Sequence, residues 1–538
     1  MKTVAFGEPS LGRREDAAAK TMNANPATLR VSERKWLLDM KTKLQVGRYE
    51  LVCTARMFVL LFAQSFSWLR SFGGSIGDQR RKLKPIPGYP ALKQTPLGQL
   101  LRTAWALIIV LTSIPVLGAE AVAPQILMDQ QYGYARLAWT NTLGHTYLIQ
   151  TRERLDEGDW STLVTLTTDS KMATWTDEAQ PSATRFYRVG ALVETNWASK
   201  LQKALDSARK GQGAKGVSAV VITTNGLWQG TSGLSDPRTT NSIQPQMRFG
   251  IASNTKMFLA ALMLQLAEEG RLTLDDPISR WLPDYPNITN TITLRQLLNH
   301  TSGVYNIFEN PAIFGTSYRS MQCDQTRQYT PEEALSYIKK PNFAPGKGWH
   351  YSNTGYILLG LIAEAVIQKP IATEIRARFL EPLQLRSTYL ETREPATGEL
   401  AHGFSDVDGV GGLDDLSALP TTGMYSLIWT AGGMFSTATD LAHWVRALYG
   451  DTVLKAVSLA QMTKWAPNSG SPYPWAGYGL GTMRWSTSKG DFWGHDGRMP
   501  GYFSESGHSP TRNITVVVLI NQDHVDEGAI WRALVDTL

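Results

Sequence analysis

The chain has 538 residues, 43% of them hydrophobic and 19% charged, which is enough to bury real cores. Its two Cys, at 53 and 323, exclude a disulfide framework and a structural zinc site. The formal charge of +6 is uneven: residues 1–100 hold 17 Lys/Arg against 7 Asp/Glu, and the rest hold 36 against 40. A basic tail is not the charged folded face that nucleic-acid binding needs, so no nucleic-acid partner is expected.

Residues 1–95 mix short helical patches, such as Trp36-Leu-Leu-Asp-Met40, with basic, Gly- and Pro-rich stretches. They offer no core of domain size and read as poorly structured. Segment 98–121 differs. Residues 103–118 are uncharged and apolar, Arg102 precedes them and Ala119-Glu-Ala121 follows. A basic flank, a short apolar run and a small-residue exit match a secretory signal peptide. The run is short for a membrane span, which needs about 20 residues. Three readings stand open. One is a cleaved signal, with translation starting just upstream of Arg102. Another is an uncleaved anchor that keeps the basic tail in the cytoplasm. The third is a buried core helix. The first two export everything after residue 121, to the periplasm or beyond, with any membrane contact made through the apolar segment alone. Cys323 is then the only Cys outside, so no internal disulfide forms there.

Residues 124–194 carry short β-type runs, including Thr146-Tyr-Leu-Ile-Gln-Thr151, Leu163-Val-Thr-Leu-Thr-Thr168 and Arg185-Phe-Tyr-Arg-Val189. Turn-rich stretches separate them at about 10-residue spacing. The pattern predicts a small all-β sandwich and resembles fibronectin type III modules. A spacer or weak glycan-binding role is expected of it.

Residues 197–538 form the large unit. An amphipathic helix from Leu201 to Ala208 opens it, and strands are predicted at Val217–Thr224, Leu227–Gly233 and Arg248–Gly250. Helices follow, including Thr330–Lys339 and Gly355–Gln368. Strands return at Tyr478–Trp485, Asp491–Gly494, Tyr502–Ser506 and Ile514–Asn521, before a last helix from about Glu527. Strands at both ends with helices between predict one α+β sheet flanked by helices.

The chemistry centres on Ile251-Ala-Ser-Asn-Thr-Lys256. On a helix, Ser253 and Lys256 stack on one face. Met257 to Ala267 is apolar almost all round, so the helix is buried. Ser253 sits at its N-terminus, where the dipole favours a developing anion. A buried Lys loses part of its preference for the charged form and can take the Ser proton. S-x-x-K alone says little. It recurs at Ser32/Lys35, Ser207/Lys210, Ser336/Lys339 and Ser486/Lys489, and only Ser253 opens an apolar helix.

Tyr351 and Asn353 lie two apart on an extended segment and can face one way. A phenol beside a Lys ammonium is expected to ionise partly and relay protons. The Asn amide can hold a substrate carbonyl and the Lys together. Trp493-Gly-His495-Asp-Gly497-Arg forms a third element on a late strand. Gly497 lets backbone approach substrate closely, and the amide of residue 498 can pair with that of Ser253 as an oxyanion hole.

The order S-x-x-K, then Y-x-N 98 residues on, then H-x-G a further 144 on, resembles the class C β-lactamase and D-alanyl-D-alanine carboxypeptidase family. Gly270-Arg-Leu-Thr-Leu-Asp-Asp-Pro277 and Asn299-His-Thr-Ser-Gly303 match in kind. The resemblance covers residues 197–538. It implies the serine β-lactamase/transpeptidase-like α+β fold with a helical subdomain, and no cofactor or metal. It implies Ser253 as the acylated nucleophile, Lys256 as its proton acceptor and Tyr351 as proton donor to the leaving group. Asn353, His495, Asp496, Gly497 and Arg498 are then substrate-binding, and His300 belongs to a structural turn. Amides or esters, D-amino-acid peptides, peptidoglycan stems or β-lactams are the implied substrates. β-Lactamases carry Lys where His495 stands, which puts efficient β-lactam hydrolysis in doubt. Asp496 stands where a hydroxyl residue usually grips a substrate carboxylate, so it would repel one unless Arg498 pairs with it or meets the substrate. A catalytically silent wall-binding or scaffold protein is the rival, and the intact Ser, Lys, Tyr and Asn argue against it. Eight His show no close metal-ligand spacing. Gly211-Gln-Gly-Ala-Lys-Gly216 follows a helix and precedes a strand, the reverse of a dinucleotide-binding loop, and reads as a plain connection.

Overall fold

A computed structural model describes residues 197–538 except 225, 312, 314–316, 397, 451 and 471–474, together with strands and adjoining residues between 119 and 192. The basic region 1–95 and the apolar run 103–118 lie outside the described residues. Among the described residues, no single helix is long and apolar enough to cross a membrane.

Seven strands come first: β1 (Ala119–Val122), β2 (Gln125–Met128), β3 (Ala135–Thr140), β4 (Thr146–Arg152), β5 (Ser161–Thr167), β6 (Met172–Asp177) and β7 (Phe186–Leu192). Strands β2, β3 and β6 form one antiparallel sheet, and β1, β7, β4 and β5 lie in another. Leu137 and Trp139 from the first meet Tyr147, Ile149, Val164 and Leu166 from the second in a buried core. Trp139 and Tyr147 meet edge to face at 5.3 Å, a favoured aromatic geometry.

The large unit supplies β8 (Gly216–Thr223), β9 (Gly226–Asp236), β10 (Gly477–Tyr478), β11 (Met483–Thr487), β12 (Gly490–Met499), β13 (Tyr502–Ser509) and β14 (Ile514–Ile520). These join the second β1–β7 sheet in the order β1-β7-β4-β5-β9-β8-β14-β13-β12-β11-β10. The join is parallel, with Thr165 opposite Trp228 and Thr167 opposite Gly230. It covers an edge that each sheet would otherwise expose.

Period-two sequence explains the layers. In β14, Val516, Val518 and Ile520 pack with α1 (Trp197–Gln212) and the C-terminal helix Glu527–Thr537. Val517 and Leu519 face the opposite core, which contains α2 (Thr255–Glu268), α3 (Asn353–Ile367) and α4 (Ala438–Tyr449). A strand buried on both faces reads as a near-continuous apolar run rather than an alternating one, and Ile514-Thr-Val-Val-Val-Leu-Ile520 is such a run. Helix α2 is buried from Thr255 to Leu264, which its all-round apolarity requires. Phe258 on α2 stacks on Trp444 of α4 with ring centroids 3.9 Å apart.

Two elements differ from expectation. The predicted strand 478–485 is interrupted between β10 and β11, because Gly481 adopts φ 69° and a Cβ there would lie 2.8 Å from the Tyr356 hydroxyl. The predicted helix 330–339 is regular only over Pro331–Leu335. The Ser336 hydroxyl donates to Glu333 O at 2.6 Å, a local bond that competes with helix continuation. Cys323 is buried and free.

Phe258 and Trp444 are fully buried, so Trp444→Ala should cost about 3–5 kcal/mol in denaturant unfolding. A loss under about 1 kcal/mol would show that the α2–α4 stack does not anchor the core.

Candidate active site

Strand Phe249–Gly250 leads into a tight turn, Ala252–Asn254, which runs straight into α2. Ala252 adopts φ 45°, a region that costs a non-glycine residue about 1–3 kcal/mol. Neighbouring bonds over-determine it. The Thr255 hydroxyl donates to Ala252 O at 2.7 Å, and Asn254 Nδ2 donates to Ser504 Oγ at 2.9 Å. Ser504 Oγ in turn donates to Ile251 O at 3.0 Å, and Ser506 Oγ to Asn254 Oδ1 at 2.6 Å. Both serines lie on β13, so the sheet grips the turn that presents Ser253.

Strand β12 lies along the same turn. A Cβ on Gly497 would meet Ile251 O at 2.3 Å and Ser504 Oγ at 2.4 Å. Only glycine lets the strand come this close.

Lys256 is fully buried. Its Nζ lies 2.9 Å from Ser253 Oγ, 2.7 Å from Asn353 Oδ1 and 2.6 Å from Ala431 O. Burial holds its pKa well below the usual lysine value, while the Asp496 carboxylate pulls it back up. A neutral amine has two N–H groups and one lone pair. The carbonyls of Asn353 and Ala431 can only accept, so they take both N–H groups. The lone pair is then left for the Ser253 hydroxyl.

Tyr351 and Asn353 arrive on the segment entering α3. Asn306 Oδ1 accepts from Asn353 N at 3.2 Å and from Nδ2 at 3.4 Å, which points Asn353 Oδ1 at Lys256. The Tyr351 ring lies 4.8 Å from Lys256 Nζ, and its hydroxyl bonds to Ser253. Burial raises its pKa well above the usual phenol value, the Ser253 bond works against this, and Asp496 adds to it. The expected partial ionisation is therefore corrected. It left out the burial of the phenol itself, which is the largest influence on it and favours the protonated form. His300 tilts over the Tyr351 ring at 4.3 Å and accepts the Ser352 N–H on Nδ1 at 3.2 Å. Nothing in the sequence spacing marked Asn306, and His300 was legible only as part of a turn.

The third motif lies on β12, paired to β13 with His495 opposite Ser506 and Asp496 opposite Glu505. The His495 ring is fully buried, and burial lowers its pKa against the raising effect of Asp496. Its Nδ1 donates to Asp496 O at 2.6 Å, so Nε2 accepts from the Tyr478 hydroxyl at 2.9 Å. Both ring nitrogens are thus engaged, 6.2 Å between ring centroids from Tyr351. The Asp496 side chain is 17% exposed. Arg498 does not offset it by direct pairing: its Nε donates to Glu527 Oε1 at 2.5 Å. Glu527 is buried and draws the guanidinium away. Among the described residues, no group of His, Cys, Asp and Glu is arranged to hold a metal.

Residues 201–538 match the family model described as Beta-lactamase. The chain belongs to the beta-lactamase family. Protein flp of Staphylococcus aureus (strain MW2) is 29% identical over 290 residues, 52% of this chain and 53% of that protein. Esterase EstB of Burkholderia gladioli is 29% identical over 220 residues, 38% of this chain and 54% of that protein. The chain spans about half the length of these curated relatives. The crystal structure of a D-stereospecific amidohydrolase from Streptomyces sp. is 32% identical with a TM-score of 0.55, covering 62% of this chain and 97% of that one. This beta-lactamase-family chain therefore has the expected α+β serine β-lactamase-like fold.

Gly497→Ala should destabilise the protein by about 1–3 kcal/mol in urea unfolding, the usual cost of overpacking. An unchanged midpoint and slope would show that β12 does not need its close approach to the Ser253 turn.

Proposed function

We propose that the chain is a serine hydrolase that transfers acyl groups through Ser253, with water as the final acceptor. One observation carries the reading. The fully buried Lys256 Nζ lies 2.9 Å from Ser253 Oγ with two carbonyl oxygens as its other partners, so in the neutral amine those carbonyls take the N–H groups and the lone pair faces Ser253.

The steps follow from that geometry. Lys256 Nζ takes the Ser253 proton as Oγ bonds to the substrate carbonyl carbon. The oxyanion meets the backbone N–H groups of Ser253 and residue 498, which the Gly497 contact holds near one another. The Tyr351 phenol gives its proton to the departing nitrogen or oxygen as that bond breaks, and the Lys256 ammonium restores it. Asn353 orients the amine and offers Nδ2 to a substrate carbonyl. Water then attacks the acyl carbon, the same pair takes its proton, and that proton is returned to Ser253 Oγ as the Oγ–carbon bond breaks, which restores the starting enzyme.

An esterase and a D-stereospecific amidohydrolase among the relatives support amides and esters as substrates. D-amino-acid peptides, including peptidoglycan stems, fit that class. The apolar segment 103–118 supports an exported location, where such stems would be met.

A fluorophosphonate should label the wild type covalently, and Ser253→Ala should abolish the label. Equal labelling of the Ala variant would place the nucleophile elsewhere. Lys256→Met and Tyr351→Phe should each lower turnover at least about 10²-fold, and the double variant should lose far less than the product. Near-normal turnover in either single variant would remove that residue from the relay.

The pH profile tests the state of Lys256. The reactive form is the neutral amine, so kcat/KM on a neutral ester should fall as pH falls through the Lys256 pKa. Burial lowers that pKa, so the acid limb should lie well below the ordinary lysine value of about 10.4. A limb near 10 would mean that Lys256 is charged at rest and would contradict the mechanism.

A further inference from the structure

The charges around the third motif do not cancel. Asp496 and Arg498 stand two apart on β12 and share a face. Arg498 is committed to the buried Glu527 carboxylate at 2.5 Å. Glu505, the register partner of Asp496, is buried, and burial together with the Asp496 and Glu527 carboxylates pushes its pKa well above the usual glutamate value. Arg532 reaches Asp526 at 3.4 Å. The closest basic nitrogen to Asp496 is His495 Nδ1, 3.6 Å from Oδ1, and that N–H is spent on the Asp496 backbone oxygen. Arg498 is thus paired with Glu527 while its charge still acts on Asp496 from a distance, and among the described residues no Lys or Arg forms an ion pair with the Asp496 carboxylate.

Its place matters more than its charge. The Asp496 field acts on Lys256, Tyr351 and Tyr478, three side chains around Ser253. It follows His495 on the strand and precedes Gly497, the residue pressed against the Ser253 turn. The Asp496 side chain is 17% exposed rather than closed off within the core. A partly desolvated carboxylate without a counter-cation is costly, and a bound cation offsets that cost.

We propose that Asp496 makes the Ser253 cleft select acyl donors that carry a primary ammonium close to the scissile carbonyl, such as amides and esters of amino acids with a free amine. The proposal deepens the acyl-transfer reading and rests on it. Asp496 acts as a specificity residue: the ammonium salt-bridges to its carboxylate while Ser253 attacks the adjacent carbonyl. The ammonium is unchanged in the reaction. The Ser253 Oγ–carbon bond forms, the carbon–nitrogen or carbon–oxygen bond breaks, and the amine or alcohol leaves with the Tyr351 proton. A substrate carboxylate at this spot meets Asp496 instead.

The experiment uses the full chain and three chromogenic substrates on one skeleton: alanine p-nitroanilide, its N-acetyl derivative and its N-succinyl derivative, each in both enantiomers. In the wild type, kcat/KM should be at least about tenfold higher for the free amine than for the N-acetyl compound, equivalent to about 1.4 kcal/mol. The N-succinyl compound should be slowest. In Asp496→Asn the amine-to-acetyl ratio should fall toward one, and Asp496→Thr should do the same if the Asn variant folds poorly. The wild-type preference should also shrink as salt is raised, a readout that needs no variant. Fluorophosphonate labelling at Ser253 runs in parallel. Absence of labelling overturns the acyl-transfer reading and this inference with it. Labelling with hydrolysis but no preference for the amine, or a preference that Asp496→Asn leaves intact, overturns the inference alone.

Discussion

A fully buried lysine amine is the constraint on which the rest of this site depends. Taking an ammonium out of water into an apolar core costs several kcal/mol, so burial lowers the pKa of the group and favours its neutral form. That requires a helix apolar on every side, which α2 is from Met257 to Leu264. It also requires acceptors for the two remaining N–H groups, and these come from distant parts of the chain, Asn353 and Ala431. With both acceptors in place the lone pair has one direction left. The reactivity of Ser253 is thus a consequence of how the core is closed around its neighbour.

The second requirement is that Ser253 be held still while exposed enough to react. The turn Ala252–Asn254 stores backbone strain at Ala252, and such strain persists only where surroundings over-determine it. Here Thr255 bonds from within the helix, Ser504 and Ser506 bond from β13, and β12 closes on the turn where Gly497 has no side chain. The helix N-terminus and the sheet meet at this point, so a backbone amide from each can serve one oxyanion.

Much of this was legible in the sequence, for a physical reason. Ser253 and Lys256 are related by helix geometry, Tyr351 and Asn353 by a short extended segment, and Gly497 by the need for close backbone approach. Each is a local relation, and local spacing reports it. The strand at β14 was legible from its run of apolar, mostly β-branched residues. What stayed hidden depends on contacts across the fold. The salt bridge from Arg498 to Glu527 joins a strand to the last helix. The bond from Tyr478 to His495 joins β10 to β12. The parallel join of β5 to β9 makes one sheet of two predicted units, and no periodicity announces which edges will meet. The ionisation of Tyr351 was misjudged because the burial of the phenol itself, on a short extended segment, depends on packing that local spacing does not report.

The loop from His300 to Asn306 ties these parts into one device. His300 adopts φ 63°, and its backbone oxygen accepts from His350 N at 3.0 Å while Nδ1 accepts from Ser352 N at 3.2 Å. It therefore holds the backbone on both sides of Tyr351, and its ring lies against the phenol. Six residues on, Asn306 binds the backbone and side chain of Asn353. Thr354 continues the seam, donating to Tyr305 O at 2.7 Å and accepting from Ile307 N at 3.0 Å. One loop thus positions both the Tyr351 phenol and the Asn353 amide that faces the Lys256 amine. Motifs 98 residues apart in sequence are mechanically a single clamp around Lys256. The amine dictates which groups must face it, and this loop makes them face it together.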